Sequence, residues 1–172
     1  AFEQQNGTFL IPNSEEGGSW DTFDPRAQLD RFNENNDRTD NATRRMVKFA
    51  KRWRNNTPSL NLKSFRIQDE VIAYLTFTDH EIPSWELFRG LVAHLKQSAP
   101  ADQLSLYETA LRRLDKAKDL WESGKKRAST EEIRKVFGDE FPLETDDVFV
   151  SLTSSARHRE INVAPKPWVS HL

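Results

Sequence analysis

The strongest periodic pattern in the chain lies between Asp40 and Phe77, and it predicts two helices joined by the short polar loop Asn55–Leu62. The first helix is predicted over about Asn41–Arg54. Its apolar residues are spaced i, i+3, i+4 and i+7, which places their side chains on one face of a helix. These residues are Met46, Phe49, Ala50 and Trp53. A helix with one such face must bury it, so this stretch is expected to organise the rest of the chain.

Five cations of the first helix are predicted to lie away from the apolar face. They are Arg44, Lys48 and Lys51 on the opposite side, with Arg45 and Arg52 on one flank. The second helix opens near Ser64 and carries the apolar residues Phe65, Ile67, Val71, Ile72 and Leu75. Its N-terminus offers a hydroxyl, backbone N–H groups and the positive end of the helix dipole. A basic helix face beside such an N-terminus can hold a phosphate chain.

Composition sets outer limits on the class of protein. With 172 residues, of which 36% are hydrophobic and 30% charged, one globular domain is expected. The 25 basic and 27 acidic residues are interspersed and give a net charge of −2, which argues against bulk attraction to nucleic acid. The absence of cysteine excludes disulfides and thiolate metal sites. No apolar run is long enough to span a membrane, and no signal-peptide pattern occurs, so a cytoplasmic setting is expected.

The N-terminal region predicts a hairpin followed by a helix. Asn6-Gly7 is a two-residue turn signal between apolar flanks, so Ala1–Ile11 is predicted to form a β-hairpin. Asn13–Ser19 is predicted to be a loop. Asp24-Pro25 combines a good N-cap with proline at the first helical position, and the helix is expected to end in the polar run Asn33–Asp40.

Three further helices are predicted. One opens at Pro83-Ser84, and a long one covers about Asp102–Ser123. Ser129 and Glu132 have the spacing of a capping box for a short helix that stops at Gly138. The fold class predicted from the whole pattern is mostly α, a helical bundle with an N-terminal β-hairpin.

The pattern weakens beyond Pro142. Val148, Val150 and Leu152 alternate like a short strand, but this segment fits a helix equally well. We therefore predict one helical unit over residues 1–143 and a C-terminal extension or linker over residues 144–172, which leads toward a further domain.

No catalytic constellation stands out in the residues. The adjacent carboxylates Asp146-Asp147 and Glu131-Glu132 diverge on a helix or strand and are expected to be solvated. The basic helix face has two interpretations. It is either a solvated face opposite a buried stripe, or a site where Lys48 and Ser64 converge on one anion. Phe65 then faces either the core or a nucleobase, since every base has a face that can stack on a ring.

Two runs of sequence carry a family resemblance. "TRRMVKFAKRWRNN" (residues 43–56) followed by "LKSFRIQDEVIAYL" (residues 62–75) resembles the helical half of template-independent nucleotidyltransferases, the relatives of cyclic GMP–AMP synthase and oligoadenylate synthase. It is most similar to the bacterial anti-phage synthases of cyclic oligonucleotides. Residues 1–13 and 17–28 resemble the chain that leaves the family's third catalytic strand, and residues 117–142 resemble its terminal helices. The resemblance covers roughly residues 1–143.

This resemblance implies a fold and a site. The fold would be the C-terminal helical core of a polymerase-β-like nucleotidyltransferase. Lys48 and Ser64 match the lysine and serine that contact the nucleotide phosphates. Phe65 stands where relatives carry a tyrosine that stacks on the base, and it keeps the ring but lacks the hydroxyl.

The resemblance also implies partners that lie outside this chain. The family's catalytic half supplies the carboxylates for two metal ions, Mg²⁺ or Mn²⁺, and it is missing here, so the chain alone is expected to be inactive. Nucleoside triphosphates are the expected ligands, and a regulatory protein partner is compatible with the family. The alternative function is a non-enzymatic helical module that binds nucleic acid or acts as a scaffold.

Overall fold

The computed structural model describes residues 2–4, 7–13 and 18–144, and in them a small antiparallel sheet precedes six α-helices. The strands are β1 (Phe2–Glu3), β2 (Phe9–Asn13) and β3 (Ser19–Phe23). The helices are α1 (Pro25–Arg38), α2 (Ala42–Asn55), α3 (Ser64–Thr76), α4 (Ser84–Gln97), α5 (Leu104–Glu122) and α6 (Lys126–Phe137), with a 3₁₀ turn at Ala101–Gln103 before α5. The predicted fold class, a mostly helical bundle entered through an N-terminal hairpin, is confirmed.

The sheet contains the predicted hairpin and one strand more. β2 is central and pairs antiparallel with β1 and with β3. Gly7, in the β1–β2 connection, has a φ of 80°, while Asn6 lies outside the described residues. The sequence does not predict β3. Its Trp20 and Thr22 share one face and Asp21 and Phe23 the other, so neither face has the uniform apolar character that marks a strand.

Large apolar side chains of the sheet remain in solvent. Phe2 is 65% exposed and Trp20 is 52% exposed, and their ring centroids lie 5.5 Å apart. Pro12, opposite Trp20, lies beyond the end of β1, so its missing N–H costs no strand hydrogen bond. Within the described residues, no helix packs against the sheet. The sheet therefore projects from the bundle and contributes nothing to its core.

The bundle is built around α2, as predicted. Met46, Ala50 and Trp53 are buried, and Phe49 is partly buried. α2 contacts α1, α3, α4 and α6. Aromatic rings fill the centre of the core, where Trp53 meets Tyr107 edge-on at 5.3 Å between centroids. Buried aromatic pairs in this geometry stabilise a fold beyond the free energy of burial alone. Through such contacts α2 holds the other helices together.

A buried polar cluster lies at the junction of α1 and α2. Asp24 caps α1 as predicted, since its carboxylate accepts the N–H groups of two first-turn residues. α1 then continues through most of the polar run in which it was expected to end. The buried residues of this junction are Asn35, Asn36, Thr39 and Thr43. Thr43 donates its hydroxyl to Asn35 Oδ1 at 2.6 Å, and Asn36 Nδ2 donates to Asn41 Oδ1 at 2.9 Å. Internal hydrogen bonds make burial of these polar groups tolerable.

The capping box predicted for α6 is wrong. α6 begins at Lys126, so Ser129 lies inside it and donates its hydroxyl to the Ala117 carbonyl of α5 at 2.6 Å. Glu132 instead accepts hydrogen bonds from Lys116 and Lys135. The reason is Gly124, whose φ of 78° turns the chain so sharply after α5 that the following basic run enters the next helix.

The predicted stop of α6 at Gly138 is confirmed, and two other helices cap it. Arg52 of α2 donates from Nε to the Phe137 carbonyl at 2.5 Å, and Asn56 donates to the Val136 carbonyl at 3.1 Å. Arg113 of α5 donates to the Lys135 carbonyl at 2.7 Å. These side chains satisfy carbonyls that a helix end otherwise leaves unpaired, and the two cations complement the helix dipole.

We expect Glu132 to make stability depend on pH. Burial raises the pKa of Glu132, but hydrogen bonds from Lys116 and Lys135 outweigh it and hold the pKa below its usual value. A carboxylate with a depressed folded-state pKa stabilises the fold above the unfolded-state pKa of about 4.3, and that contribution disappears as pH falls through the folded-state pKa. Urea unfolding between pH 7 and pH 3 should show this loss, and Glu132→Gln should lack that component.

The same Glu132→Gln substitution should cost about 1.5 kcal/mol at pH 7, the low end for hydrogen bonds to charged groups, because both lysines are more than half exposed. Glu131→Gln is the matched control, since Glu131 is 53% exposed and forms only a surface pair. If the two variants lost equal stability and kept equal pH profiles, the buried carboxylate would have no special role.

Two further points concern the limits of the fold. Within the described ranges, no helix has the length and apolar character that crossing a membrane requires. The predictions for Val148–Leu152, for the Asp146-Asp147 pair and for the extension over residues 145–172 lie outside the described residues.

Candidate functional site

Lys48 lies in the middle of α2 and is exposed, on the side away from the buried stripe. Arg44 and Arg45 are exposed beside it, so the basic face predicted for this helix is present. In the described part of the chain Lys48 has no ion-pair partner. Its ammonium group is therefore hydrated and able to meet an anion without breaking an existing pair.

Ser64 is the first residue of α3 and is exposed. Its hydroxyl accepts a hydrogen bond from Arg54 Nη1 at 2.6 Å. Among the described residues no side chain caps this helix, so the N–H groups of its first turn are unpaired as the sequence predicts. The N-terminus of α3 thus combines a hydroxyl, a guanidinium group and backbone donors, all of which bind oxygen anions.

Phe65 follows Ser64, and its side chain is 56% exposed. Of the two alternatives predicted for this ring, the core is therefore wrong. α3 buries a different set of residues, which are Ile67, Val71, Ile72 and Leu75. An exposed ring at the first turn of a helix leaves a flat apolar surface, one residue after Ser64, on which a planar partner could stack.

The cation that reaches Ser64 is Arg54, which is not one of the predicted site residues. Lys48 and Arg54 are six residues apart, which is a rotation of about 120° and a rise of about 9 Å along an α-helix. No described hydrogen bond joins Lys48 to Ser64, so their convergence on one anion stays a prediction. The spacing of Arg54 contained a usable signal. It lies four residues after the buried Ala50, at the margin of the face that α2 turns toward its neighbours.

Other charged residues surround the first turn of α3. Lys63, at the N-cap position, and Arg66 are both exposed. Arg66 forms an ion pair with Glu70 at 3.5 Å and donates a hydrogen bond to Ser98 at 3.2 Å. The pairing holds Arg66 along α3, so Arg54 is the guanidinium group that bonds Ser64 beside the positive end of the helix dipole.

No metal centre accompanies these residues. In residues 18–144 and the described strands before them, no three carboxylate or imidazole side chains come together as a cluster that could hold a metal ion. Glu131 is exposed as predicted, but Glu132 is buried, so the prediction that both carboxylates of this pair are solvated is wrong for Glu132.

A separate feature that the sequence did not predict is an aromatic groove of about 420 Å³ between α4, α5 and α6. Its walls include Trp85, Phe88, Trp121, Phe137 and Phe141. These walls are not all buried, since Trp121 is 49% exposed. Periodicity identifies the face on which a residue lies, but it does not show whether three helices close completely over that face.

No family model, no curated protein and no solved structure matches this chain significantly.

Proposed function

We propose that this chain is the nucleotide-binding helical half of a template-independent nucleotidyltransferase, which makes cyclic or linear oligonucleotide second messengers from nucleoside triphosphates in anti-phage signalling. The proposal rests on the resemblance of residues 43–56 and 62–75 and on one structural observation. That observation is the exposed ring of Phe65, which follows Ser64 in the first turn of a helix whose N-terminus is uncapped and whose Ser64 hydroxyl accepts a hydrogen bond from Arg54.

The ring supplies the base-binding part of the proposed site. A nucleobase stacked on Phe65 would cover apolar surface that is now in solvent, and stacking needs no hydroxyl on the ring. The loss of the tyrosine hydroxyl found in the resembling family then affects only a polar contact, not the stacking. Phe65 is not among the residues that α3 buries. Packing of the bundle therefore does not explain why an aromatic ring stands at this position.

The first turn of α3 supplies the phosphate-binding part. The unpaired N–H groups, the Ser64 hydroxyl and the Arg54 guanidinium can each donate to phosphate oxygens. Lys48, from the neighbouring helix, would add a mobile ammonium group to the outer end of a triphosphate. Arg54 acts first as a positioning residue in this proposal, because its hydrogen bond fixes the direction of the Ser64 hydroxyl.

Further partners follow from the same proposal. Mg²⁺ or Mn²⁺ would be held by carboxylates of the catalytic half, and the described residues offer no cluster of their own for it. Such a metal would activate the attacking hydroxyl and stabilise the leaving phosphates when the halves are joined. A regulatory protein partner and a cytoplasmic setting belong to the proposal as well.

A second candidate function is a non-enzymatic module that binds nucleic acid. The observation that favours it is the exposed row of Arg44, Arg45 and Lys48 on α2, which can follow a phosphate backbone. Measuring the melting temperature with nucleotides and with duplex nucleic acid distinguishes the candidate functions. Stabilisation by ATP or GTP supports the enzyme half, stabilisation by duplex RNA or DNA alone supports the binding module, and no shift with either supports a scaffold.

Phe65→Ala should weaken binding of ATP or GTP to this chain by about 1–3 kcal/mol, which is roughly fivefold to 150-fold in Kd, because the stacking surface is removed. Lys48→Ala should cost about 1.5–3 kcal/mol through the lost contact with charged phosphate. Titration with a fluorescent nucleotide analogue measures both, and the melting temperature should hardly change because both side chains are exposed.

The matched control for the ring is Phe77→Ala, since Phe77 is 93% exposed at the other end of α3. The control for the cation is Lys125→Ala, in the exposed turn between α5 and α6. If nucleotide affinity were unchanged in Lys48→Ala and Phe65→Ala, the proposal would be wrong. This surface would then be a solvated charged face that binds no nucleotide.

A further inference from the structure

We propose that the aromatic groove between α4, α5 and α6 is a docking site for the chain's own segment Val148–Leu152. This inference is independent of nucleotide binding, because the groove lies on different helices from α2 and α3 apart from the buried edge of Phe49. At about 420 Å³ the groove is within the size range of sites that bind ligands and short apolar segments.

The walls of the groove are aromatic and only partly closed. Phe88 and Phe137 form its floor and are nearly buried, while Trp121 at its margin is 49% exposed. Soluble proteins seldom leave a concave apolar surface of this kind uncovered, because each square ångström kept in water forfeits about 25 cal/mol of burial free energy. An apolar occupant is therefore expected.

The path of the chain favours an occupant from the same molecule. Phe141, Pro142 and Glu144 already line the groove. The ring of Phe141 stacks on Phe137 with centroids 5.8 Å apart, and the Glu144 N–H donates to Thr130 Oγ1 at 3.2 Å. The last described residues are thus attached along the wall of the groove, and whatever follows Glu144 starts at its edge.

The distance along the chain is short. Val148 is four residues beyond Glu144, which is at most about 13 Å of extended chain. A segment on so short a tether has an effective concentration in the millimolar range. Docking of the segment therefore needs only a weak intrinsic affinity. A free partner would need a higher affinity, because its cellular concentration is below this effective concentration.

The chemistry of the segment fits the groove. Four of its five residues are apolar, namely Val148, Phe149, Val150 and Leu152. Asp146 and Asp147 precede it, and Lys118 lines the groove together with two carboxylates, Glu122 and Glu144. Lys118 Nζ lies 5.1 Å from the ring centroid of Trp85, and Lys126 Nζ lies 5.9 Å from that of Trp121. The apolar run of the segment thus matches the aromatic floor of the groove.

The absence of native cysteine allows a direct test in the full chain. Ser151→Cys is labelled with bimane, whose fluorescence tryptophan quenches on contact, in a Trp168→Phe background that removes the tail's own tryptophan. We expect quenching by Trp121 or Trp85. If the intrinsic Kd equals an effective concentration of about a millimolar, about half of the fluorescence should be lost.

Three variants identify the source of the quenching. Trp121→Phe with Trp85→Phe keeps two apolar rings in the groove but removes the quenchers, so fluorescence should recover. Phe149→Asp should also restore fluorescence with both tryptophans present, because it places a charge in the apolar run. A label at Ser170→Cys, far along the tail, should be unquenched throughout. Helical circular dichroism of every variant should equal that of the parent, since Trp85 and Trp121 are outside the buried core and the other substituted positions follow the last described helix.

Concentration separates this occupant from a second copy of the chain. Quenching within one molecule is independent of protein concentration, whereas quenching that grows with concentration would show that another copy fills the groove and would overturn the proposal. Equal fluorescence in the parent and in Phe149→Asp would overturn it too, as would unquenched fluorescence in the parent.

Discussion

Replacing Phe88 with alanine is expected to destabilise the bundle by about 3–5 kcal/mol, the usual cost of truncating a buried phenylalanine. Phe88 is 1% exposed and lies where α2, α4 and α6 meet. Its ring contacts those of Phe49, Trp53 and Phe137, with centroid distances from 5.0 to 6.3 Å. Alanine leaves a cavity that the surrounding rings cannot fill, because each of them packs against another aromatic side chain.

Phe77→Ala is the matched comparison, because the same atoms are removed from a ring that is 93% exposed. Its expected cost is within about 0.5 kcal/mol of zero. Urea unfolding monitored by circular dichroism at 222 nm measures both. Equal losses in the two variants would mean that the aromatic centre of the bundle is not its main source of stability.

Gly138→Ala should destabilise the bundle, with an expected loss of about 1–3 kcal/mol from backbone strain alone. Gly138 has φ 90° and ψ 168°, a backbone conformation that residues other than glycine rarely adopt. The added Cβ would also lie 3.0 Å from Arg52 Nη2 and 3.0 Å from Asn56 Oδ1. These two side chains cap the C-terminus of α6, so moving them would uncover carbonyls that they now satisfy.

The comparison for this substitution is Gly124→Ala, which separates strain from crowding. Gly124 also has a positive φ, 78°, but nothing lies within 4 Å of its missing Cβ. Its cost should be about 1–2 kcal/mol, the penalty of a left-handed residue with a side chain. Thermal and urea unfolding of both variants test the difference. A Gly138→Ala protein no less stable than Gly124→Ala would show that Arg52 and Asn56 move aside freely.

The parts of the fold that the sequence predicts well are those set by periodicity. The stripe on α2 packs into the core as expected, because burying one side of a helix requires a 3.6-residue repeat and little else. Phe65 shows the limit of this reasoning. Its position is compatible with either side of α3, and only the packing of the neighbouring helices leaves it exposed.

The predictions that differ from the structure concern polar residues, and each difference has a physical cause. Ser129 and Glu132 have the spacing of a helix cap, but their hydrogen-bond partners Ala117 and Lys116 come from another helix. A local pattern cannot reveal a partner that is distant in the sequence. Arg54 was overlooked for the same reason, since its contact with Ser64 depends on how the connecting loop returns α3 to α2.

The separation of the sheet from the bundle has a thermodynamic consequence. Because no described helix packs on the strands, their formation and the folding of the bundle share little interaction free energy. A three-stranded sheet without a covered face has only marginal stability of its own. The chain should therefore behave as two cooperative units joined through α1. The strands would often separate while every helix stays folded. A partner that covered Phe2 and Trp20 would stabilise the strands without altering the core.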